Sequence, residues 1–380
     1  MSKEKEMTTL GTSVGSDDGQ SLNVSENSIP ENTSEFNNFE EDFRKMQQEM
    51  FRQMDPSYLK TITMTELYDT VYQSRPPLID GLIYPGTYLF VGAPKLGKSF
   101  LMAQLAYHIS TGTPLWNYPV RKGTVLYLAL EDNYNRLQKR LYQMFGTEGT
   151  ENLFFAISAS QLGKGLDEQL QGFIQEHHDT KLIIIDTLQK VREIGGDNYS
   201  YANDYDIITR LKKFADSCGV CLLLVHHTRK QQSDDRFDMI SGTNGLLGAA
   251  DGAFLLQKEK HTSNAATLDV SGRDQQDQRL YLSRSHERLI WELEKTETEL
   301  WKEPPEPLLE EITRRITKDN SVWQGSPTEL VLLLDVDIKP NVLTLKLNVN
   351  AGRLLNEYGI RYENSRSHDG RKVSLHFEQA

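Results

Sequence analysis

Residues 87–110 read TYLFVGAPKLGKSFLMAQLAYHIS, and this stretch decides the fold class. Its centre, GAPKLGKS at residues 92–99, fully matches the pattern G-x-x-x-x-G-K-[ST]. The residues before the pattern are apolar and typical of a buried strand, and those after it have helical periodicity. A glycine-rich loop between a strand and a helix directs backbone N–H groups and the positive end of the helix toward an anion. The stretch therefore predicts a phosphate-binding loop, or P-loop, in an α/β fold.

Each residue type in this loop has a role in holding a phosphate chain. Gly92 and Gly97 allow the backbone to turn tightly, Lys98 places a positive charge on the β- and γ-phosphates, and Ser99 supplies a hydroxyl for Mg²⁺. We therefore predict that the chain binds and hydrolyses ATP with Mg²⁺. A glycine-rich turn without phosphate is the alternative, and the flanking strand and helix disfavour it. The predicted nucleotide-binding residues are Gly92, Ala93, Pro94, Lys95, Leu96, Gly97, Lys98 and Ser99.

Short apolar runs alternate with helical stretches from about residue 60 to residue 297. Runs that are apolar throughout are typical of strands buried on both faces of a parallel sheet, and their alternation with helices predicts such a sheet. Three later runs, ATLDVSG, RLYLSRS and RLIWELE, predict antiparallel strands added at one edge. The predicted parallel strands are TYLFVG, GTVLYLAL, NLFFAIS, KLIIIDTL, VCLLLVHH and GAFLLQ.

Polar residues at the ends of three of these strands are the candidate catalytic groups. The carboxyl ends of parallel strands meet at one edge of the sheet, where ligands bind. Asp186 follows four apolar residues and is predicted to hold Mg²⁺ as the Walker B acid. Glu131 is predicted to polarise the attacking water, with Asp132 or Asn133 as the cap of the next helix. His227 is predicted to sense the γ-phosphate, although a histidine in a core is the alternative.

The order of these motifs resembles that of RecA-like ATPases, and most closely that of hexameric replicative helicases of the RepA and DnaB types. The segments that carry the resemblance are GLIYPGTYLFVGAPKLGKS, LALED with Glu131, and HHTRK, within about residues 60–297. The resemblance implies an ATP-dependent DNA motor that forms a homo-oligomer, expected to be a hexamer. Single-stranded DNA would pass through its channel.

The resemblance also implies two groups of residues outside the nucleotide motifs. The loop at about residues 228–244 would line the channel, although a solvated surface loop is the alternative and its aspartates weaken the DNA assignment. Arg273 would be an arginine finger that reaches the nucleotide of a neighbouring subunit, with Lys258 and Lys260 as rivals. The family's Lys-x-Arg arrangement is here Ser-Gly-Arg. The predicted DNA contacts of the loop are Arg229, Lys230 and Arg236.

The ends of the chain predict further parts. Residues 1–38 are polar and predict a disordered tail, 39–59 a helix and linker, and 298–307 a proline-rich linker. Residues 308–380 read as helices followed by a hairpin at Asp369-Gly370, which resembles a winged helix that binds duplex DNA. The alternative is a protein-docking module, because residues 321–380 are not basic overall. The wing residues expected at DNA are Arg366, Arg371 and Lys372.

Composition limits the remaining classes. The net charge of −12 confines any nucleic-acid contact to a local surface. The two cysteines, Cys218 and Cys221, are predicted to be buried thiols rather than a metal or redox site. No apolar run reaches the roughly 18 residues of a membrane span, so we expect a cytoplasmic protein with no membrane partner.

The sequence leaves two functions open beside a small-molecule kinase, which the lack of a lid-like arginine cluster disfavours. The first is a DNA motor or remodelling ATPase, an organisation that suits the replication of a plasmid or mobile element. The second is an ATP-switched, sequence-specific DNA-binding regulator or a recombinase-like ATPase without unwinding activity. The two differ in whether ATP hydrolysis moves DNA or changes an assembly on it.

Overall fold

The computed structural model describes most of the chain after residue 54. The described residues are 44, 46–48, 50–52, 55–72, 75–192, 201–228, 244–258, 260, 263–273, 275–298, 306–367 and 370–378. Two compact units divide the chain, residues 1–64 and residues 65–380. In the first unit, the described residues between 44 and 52 are helical, and the side chains of Met46, Met50 and Phe51 are exposed. The predicted tail, residues 1–38, and the first five residues of the predicted helix, 39–43, lie outside the described residues.

The second unit contains a nine-stranded sheet whose first six strands in space are parallel. The strand order is β3-β2-β4-β5-β1-β6-β7-β8-β9, and β7, β8 and β9 run antiparallel at one edge. This is the mostly parallel α/β sheet predicted from the alternating runs. The strands are β1 Gly86–Gly92, β2 Thr124–Ala129, β3 Leu153–Ala156, β4 Thr180–Asp186, β5 Cys221–His227, β6 Gly252–Gln257, β7 Ala265–Gly272, β8 Gln275–Arg284 and β9 Trp291–Thr298.

Helices cover both faces of this sheet and explain why its strands are apolar throughout. Neighbouring residues of one strand enter opposite cores: Phe90 lies in the core on one face, and Leu89 and Val91 lie in the core on the other. Burial on both faces is what parallel strands require. The helices beside the sheet are Lys98–Thr111, Tyr134–Phe145, Leu166–Glu176, Leu188–Val191, Tyr201–Cys218 and Asn244–Ala249. A short helix, Met64–Asp69, precedes β1 and has no buried residue.

Local signals fix where the helices beside the site begin and end. The helix Lys98–Thr111 follows Gly97, whose φ of 98° favours glycine, and ends at Gly112 with a φ of 75°. The helix Tyr134–Phe145 is capped by Asn133, whose side chain accepts a hydrogen bond from the Arg136 N–H. Asn133 was one of the two caps that the sequence predicted.

The C-terminal region has its own core and its own antiparallel sheet, of order β10-β12-β11. The sequence predicted helices and a hairpin here but missed the strand β10, which pairs with β12 far along the chain. A capping box between Ser326 and Glu329 starts the second helix. The elements are helix Pro307–Arg315, β10 Val322–Gly325, helices Pro327–Leu334 and Pro340–Tyr358, β11 Ile360–Ser367 and β12 Gly370–Phe377.

Three further expectations can be placed on the fold. Strand β9 ends at Thr298 and the next helix begins at Pro307, with residues 299–305 outside the described part, so the linker and the domain boundaries stay predictions. Cys221 is buried in β5, Cys218 is half-buried, and both thiols are free. No helix in the described ranges has the length and apolar character that crossing a bilayer would need.

Candidate active site

The P-loop lies at the carboxyl edge of the parallel strands. Strand β5 lies between β1 and β4, with Gly92 opposite His227 and Asp186 opposite Val225. Strand β2 lies on the other side of β4 and pairs Ala129 with Asp186. The ends of four strands that carry the predicted catalytic groups are therefore neighbours in the sheet.

Lys98 is buried and folded back onto the loop that precedes it. Its Nζ donates to the carbonyl oxygens of Gly92, at 2.7 Å, and Ala93, at 3.0 Å, and lies 3.2 Å from His227 Nδ1. Burial lowers the pKa of Lys98 to about 8, although the carboxylates of Asp186 and Glu131 act in the opposite direction. The lysine thus lies within the electrostatic range of both predicted acids.

Asp186 is buried at the end of β4 and is held by groups from two other elements. The Tyr127 hydroxyl donates to Asp186 Oδ2 at 2.8 Å, and the Ser99 side chain also bonds this carboxyl group. Burial raises the pKa of Asp186, and the hydrogen bonds from Ser99 and Tyr127 act to lower it. The two residues predicted for Mg²⁺ are therefore in direct contact. Tyr127 is a residue that the sequence reasoning missed.

Ser99 and Asp186 fit a Mg²⁺ site of the kind that nucleotides complete. Mg²⁺ is commonly held by one or two protein oxygens together with phosphate oxygens and water. A hydroxyl and a carboxylate in contact at the start of the P-loop helix supply those protein oxygens. Within the described ranges there is no cluster of three His, Cys, Asp or Glu that would hold a metal without phosphate.

Glu131 and its neighbour Asp132 have different surroundings. Glu131 is exposed, and its Oε1 accepts a hydrogen bond of 3.2 Å from the Thr187 hydroxyl. Asp132 is paired with Arg136 at 2.8 Å and with Arg140 at 2.7 Å. The carboxylate of Asp132 is therefore committed to the helix that follows, whereas Glu131 faces the residues after Asp186. This arrangement agrees with Glu131 as the water-activating acid, a role that stays a prediction.

His227 connects the P-loop lysine to the segment after β5. Its ring is half-buried, and its pKa is lowered by burial and by the positive charge of Lys98. A protonated lysine that contacts Nδ1 makes that nitrogen an acceptor, so the imidazole is neutral. The described residues stop at Thr228 and resume at residue 244, so Arg229, Lys230 and Arg236 lie outside them.

The predicted arginine finger lies at the other end of the sheet. Arg273 follows β7, whose Gly272 pairs with Gly252 at the start of β6, whereas the P-loop side pairs Gly92 with Leu256. The Arg273 guanidinium donates to the Gly248 carbonyl at 3.0 Å. Arg273 is therefore not brought to the P-loop of its own chain. Its rival Lys258 follows the P-loop end of β6 and donates to the Ser263 carbonyl at 2.9 Å.

The residues predicted to form a DNA-binding wing lie in one hairpin, and their surroundings differ. Arg366 and Arg371 are directly opposite each other across β11 and β12, and Lys372 follows in the second strand. Arg371 forms an ion pair of 3.1 Å with Asp69. Arg366 and Lys372 are exposed.

Comparison with known proteins gives one family match and several likenesses to solved structures. Residues 53–233 match the family model described as AAA domain. One solved structure, an ATPase domain, covers 56% of this chain and 85% of its own, with 16% identity and a TM-score of 0.47. A DnaB-like replicative helicase, studied with its primase, covers 66% of this chain and 71% of its own, with 16% identity and a TM-score of 0.47.

A third solved structure is the KaiC-like protein PH0186 from Pyrococcus horikoshii OT3. It covers 59% of this chain and 99% of its own, with 14% identity and a TM-score of 0.41. These three likenesses carry no assignment of function. No curated protein sequence matches the chain. Residues 53–233 are therefore similar to an AAA domain, and the mostly parallel sheet with the P-loop at its carboxyl edge is the α/β P-loop fold that the sequence predicted.

Proposed function

We propose that the chain is an ATP-dependent DNA motor or remodelling ATPase resembling a RepA-type replicative helicase, which hydrolyses ATP in an oligomeric assembly on DNA. Its motifs resemble those of the RepA-type and DnaB-type helicases, and the AAA-domain match supports the ATPase part of the proposal. Single-stranded DNA and further copies of the chain, expected to form a hexamer, are the proposed partners.

The contact between Lys98 and His227 carries this proposal. It joins the residue expected at the γ-phosphate to the end of β5, from which the chain leads directly into the predicted DNA loop. Loss of the γ-phosphate would change the charge that Lys98 meets, and His227 would transmit the change to the next segment. A nucleotide site that only anchors a ligand has no need of this connection.

The residues of the site have distinct proposed roles in hydrolysis. Mg²⁺, held by Ser99 and Asp186, would neutralise phosphate charge when the nucleotide is bound. Lys98 would exchange its carbonyl partners for phosphate oxygens, which keep its charge paired. Glu131, oriented by the Thr187 hydroxyl, would accept a proton from the attacking water.

Strand displacement assayed beside ATP hydrolysis, with and without single-stranded DNA, tests the proposal. We expect single-stranded DNA to stimulate hydrolysis by the unsubstituted chain and the chain to displace a strand. His227→Ala should bind ATP but lose the stimulation. An ATP hydrolysis rate that is the same with and without single-stranded DNA, together with no strand displacement, would refute the DNA-motor proposal. It would favour a regulator or recombinase-like ATPase without unwinding activity.

That alternative, an ATP-switched, sequence-specific regulator or recombinase-like ATPase, is favoured by the C-terminal region. Its order of helix, strand, two helices and a two-stranded hairpin supports a winged-helix-like fold.

Protein docking is the competing role for this C-terminal region, because three apolar side chains on one face of the helix Pro340–Tyr358 are exposed. They are Val342, Leu345 and Val349.

DNA binding by the full chain separates these roles. Combined Arg366→Gln and Lys372→Gln substitutions should weaken duplex binding and reduce its salt dependence by about two counterions. Arg371→Gln is the matched comparison, because its charge is already paired with Asp69, and it should have a smaller effect. Unchanged duplex binding in the double variant would favour protein docking.

A further inference from the structure

A cluster of cations and aromatic rings lies against the P-loop on the side of Gly97. A Cβ placed on Gly97 would come within 3.2 Å of the Trp291 ring and 3.4 Å of Arg284 Nη1. Trp291 is fully buried and is fixed by Gln104, which exchanges two hydrogen bonds with its backbone, at 2.8 and 2.9 Å. Trp291, the first residue of β9, therefore forms a fixed contact on the Gly97 side of the P-loop.

The ring of Phe100, the residue after Ser99 of the P-loop, contacts the guanidinium groups of two arginines. The guanidinium carbon of Arg284 lies 4.0 Å from the centre of the Phe100 ring, and that of Arg140 lies 4.9 Å from it. Arginine stacks well on aromatic faces, because its planar cation meets the negative face of the ring. The ring thus holds Arg284 beside the start of the P-loop helix.

The two arginines differ in how their charges are compensated. Arg140 is paired with Asp132 at 2.7 Å. Arg284 is half-buried, and its Nε donates only to the Leu289 carbonyl, at 3.3 Å. No carboxylate in the described part of the chain pairs with Arg284. A third cation, Lys258, lies 5.3 Å from the Trp291 ring, so the surroundings of Arg284 add positive charge.

Leaving such a cation uncompensated is unfavourable in a folded protein. Burial and the charge of Arg140 both lower the pKa of the Arg284 guanidinium. Both effects disfavour the charged form of this side chain. Half-buried arginines usually gain a carboxylate or phosphate partner that meets their fork of N–H donors. An anionic ligand beside the P-loop would relieve the repulsion among these cations.

We propose that Arg284, held by Phe100 and Trp291, binds the α-phosphate of the nucleotide. Lys98 faces the side of the P-loop where Asp186, Glu131 and His227 lie, which is the proposed γ-phosphate side. Arg284 lies at Gly97 and Phe100, and no hydrogen bond or ion pair among the described residues joins it to that group. A phosphate chain along the loop would place its α-phosphate and nucleoside toward Arg284. The assignment rests on the proposed nucleotide function and adds a second cation to it.

Calorimetric titration of the full chain with ADP tests this assignment. ADP keeps the α-phosphate and lacks the γ-phosphate, so it isolates the side of the site where Arg284 lies. Arg284→Gln should lower ADP affinity at least about tenfold, and Arg284→Lys, which keeps a cation, should recover part of the loss. Arg288→Gln is the control and should bind ADP normally, because Arg288 is an exposed arginine in the turn that follows Arg284.

The outcomes separate this assignment from the proposed function. If the unsubstituted chain binds no ADP, the nucleotide function itself fails. If that chain binds ADP and Arg284→Gln binds it equally well, only the assignment of Arg284 fails. Equal weakness of Arg284→Gln and Arg284→Lys would also overturn it, since charge would then not be the property that matters. Thermal melting of each variant identifies any loss that arises from unfolding.

Discussion

Lys98 Nζ and His227 Nδ1 lie 3.2 Å apart, a distance at which the lysine donates a hydrogen bond to the imidazole. The same ammonium group donates to two carbonyl oxygens of the P-loop, so all three of its N–H donors have a partner. A phosphate chain in the loop would compete for these donors. We therefore expect nucleotide binding to alter the contact between Lys98 and the end of β5.

Replacement of Lys98 by alanine should abolish ATP turnover. The change removes the cation expected on the β- and γ-phosphates and leaves the remaining loop intact. ATP hydrolysis can be followed by phosphate release at saturating Mg²⁺, with Lys139→Ala as the control because Lys139 is an exposed lysine outside the site. A normal rate in Lys98→Ala would refute the assignment of the P-loop.

The stability of the nucleotide-free chain should rise with pH through Lys98. The pKa of this lysine is about 8 in the folded chain against 10.5 in the unfolded chain, so the folded state loses its proton first. Between these values the unfolded state binds more protons, and the free energy of unfolding increases as pH rises. The cost of burying the charge is fully present below about pH 8.

Comparison with Lys98→Met isolates this effect, because methionine has no charge at any pH. From pH 7.5 to pH 9.5 the wild-type chain should gain about 1–2 kcal/mol relative to Lys98→Met, as measured by denaturant unfolding. Titrating groups that do not interact with Lys98 contribute equally to both proteins and cancel. A difference that stays constant across this range would contradict the lowered pKa.

Removal of the Tyr127 hydroxyl should disturb the Mg²⁺ site without removing a ligand. Tyr127→Phe deletes the hydrogen bond that lowers the pKa of Asp186, so the pKa of this acid should rise further. Because the ionised carboxylate is the proposed Mg²⁺ ligand, the acidic limb of the pH–rate profile should move to higher pH. The Mg²⁺ affinity should fall about tenfold.

Tyr142→Phe is the control for this substitution, because the Tyr142 side chain is exposed on the neighbouring helix. Its pH–rate profile and Mg²⁺ dependence should match those of the unsubstituted chain. If Tyr127→Phe also matches, the hydroxyl serves only the packing of the strand.

The parallel sheet and the gathering of Glu131, Asp186 and His227 at one edge followed from the sequence for a physical reason. Strands buried on both faces are apolar throughout, and a polar residue that ends such a run must lie at the edge of the sheet. Their neighbourhood depends only on strand order and direction. The roles of the individual side chains depend on chemistry that the fold does not test, and they stay predictions.

Other features depend on contacts between distant residues and could not be predicted. Strand β10 is four residues long and forms only because β12 pairs with it. Tyr127 looked like one more apolar residue of β2, although a buried tyrosine hydroxyl usually needs a partner, and that rule was the available signal. The stacking of Arg284 on Phe100 joins residues far apart in the chain and has no local signature.

Glu131→Gln should bind ATP with normal affinity and lose turnover, since the amide cannot accept the proton of the attacking water. Asp132→Asn is the matched comparison at the adjacent position. The Asp132→Asn substitution removes the carboxylate that pairs with Arg136 and Arg140. It should lower the melting temperature by a few degrees while ATP turnover persists. Single-turnover hydrolysis with fluorescent-nucleotide binding measures both properties. The reverse pattern would assign the water-activating role to Asp132.

Arg273→Ala should leave nucleotide binding intact and eliminate hydrolysis, if the residue acts on a neighbouring subunit. Arg273 lies at the end of the sheet opposite its own P-loop, so its target would be the nucleotide of another copy. Mixing Arg273→Ala with Asp186→Asn creates interfaces that combine an intact nucleotide site with an intact arginine. Hydrolysis should therefore return in the mixture although each variant alone is inactive. No recovery would count against a trans finger, and because the guanidinium binds the Gly248 carbonyl, it would favour a structural role at the start of β6.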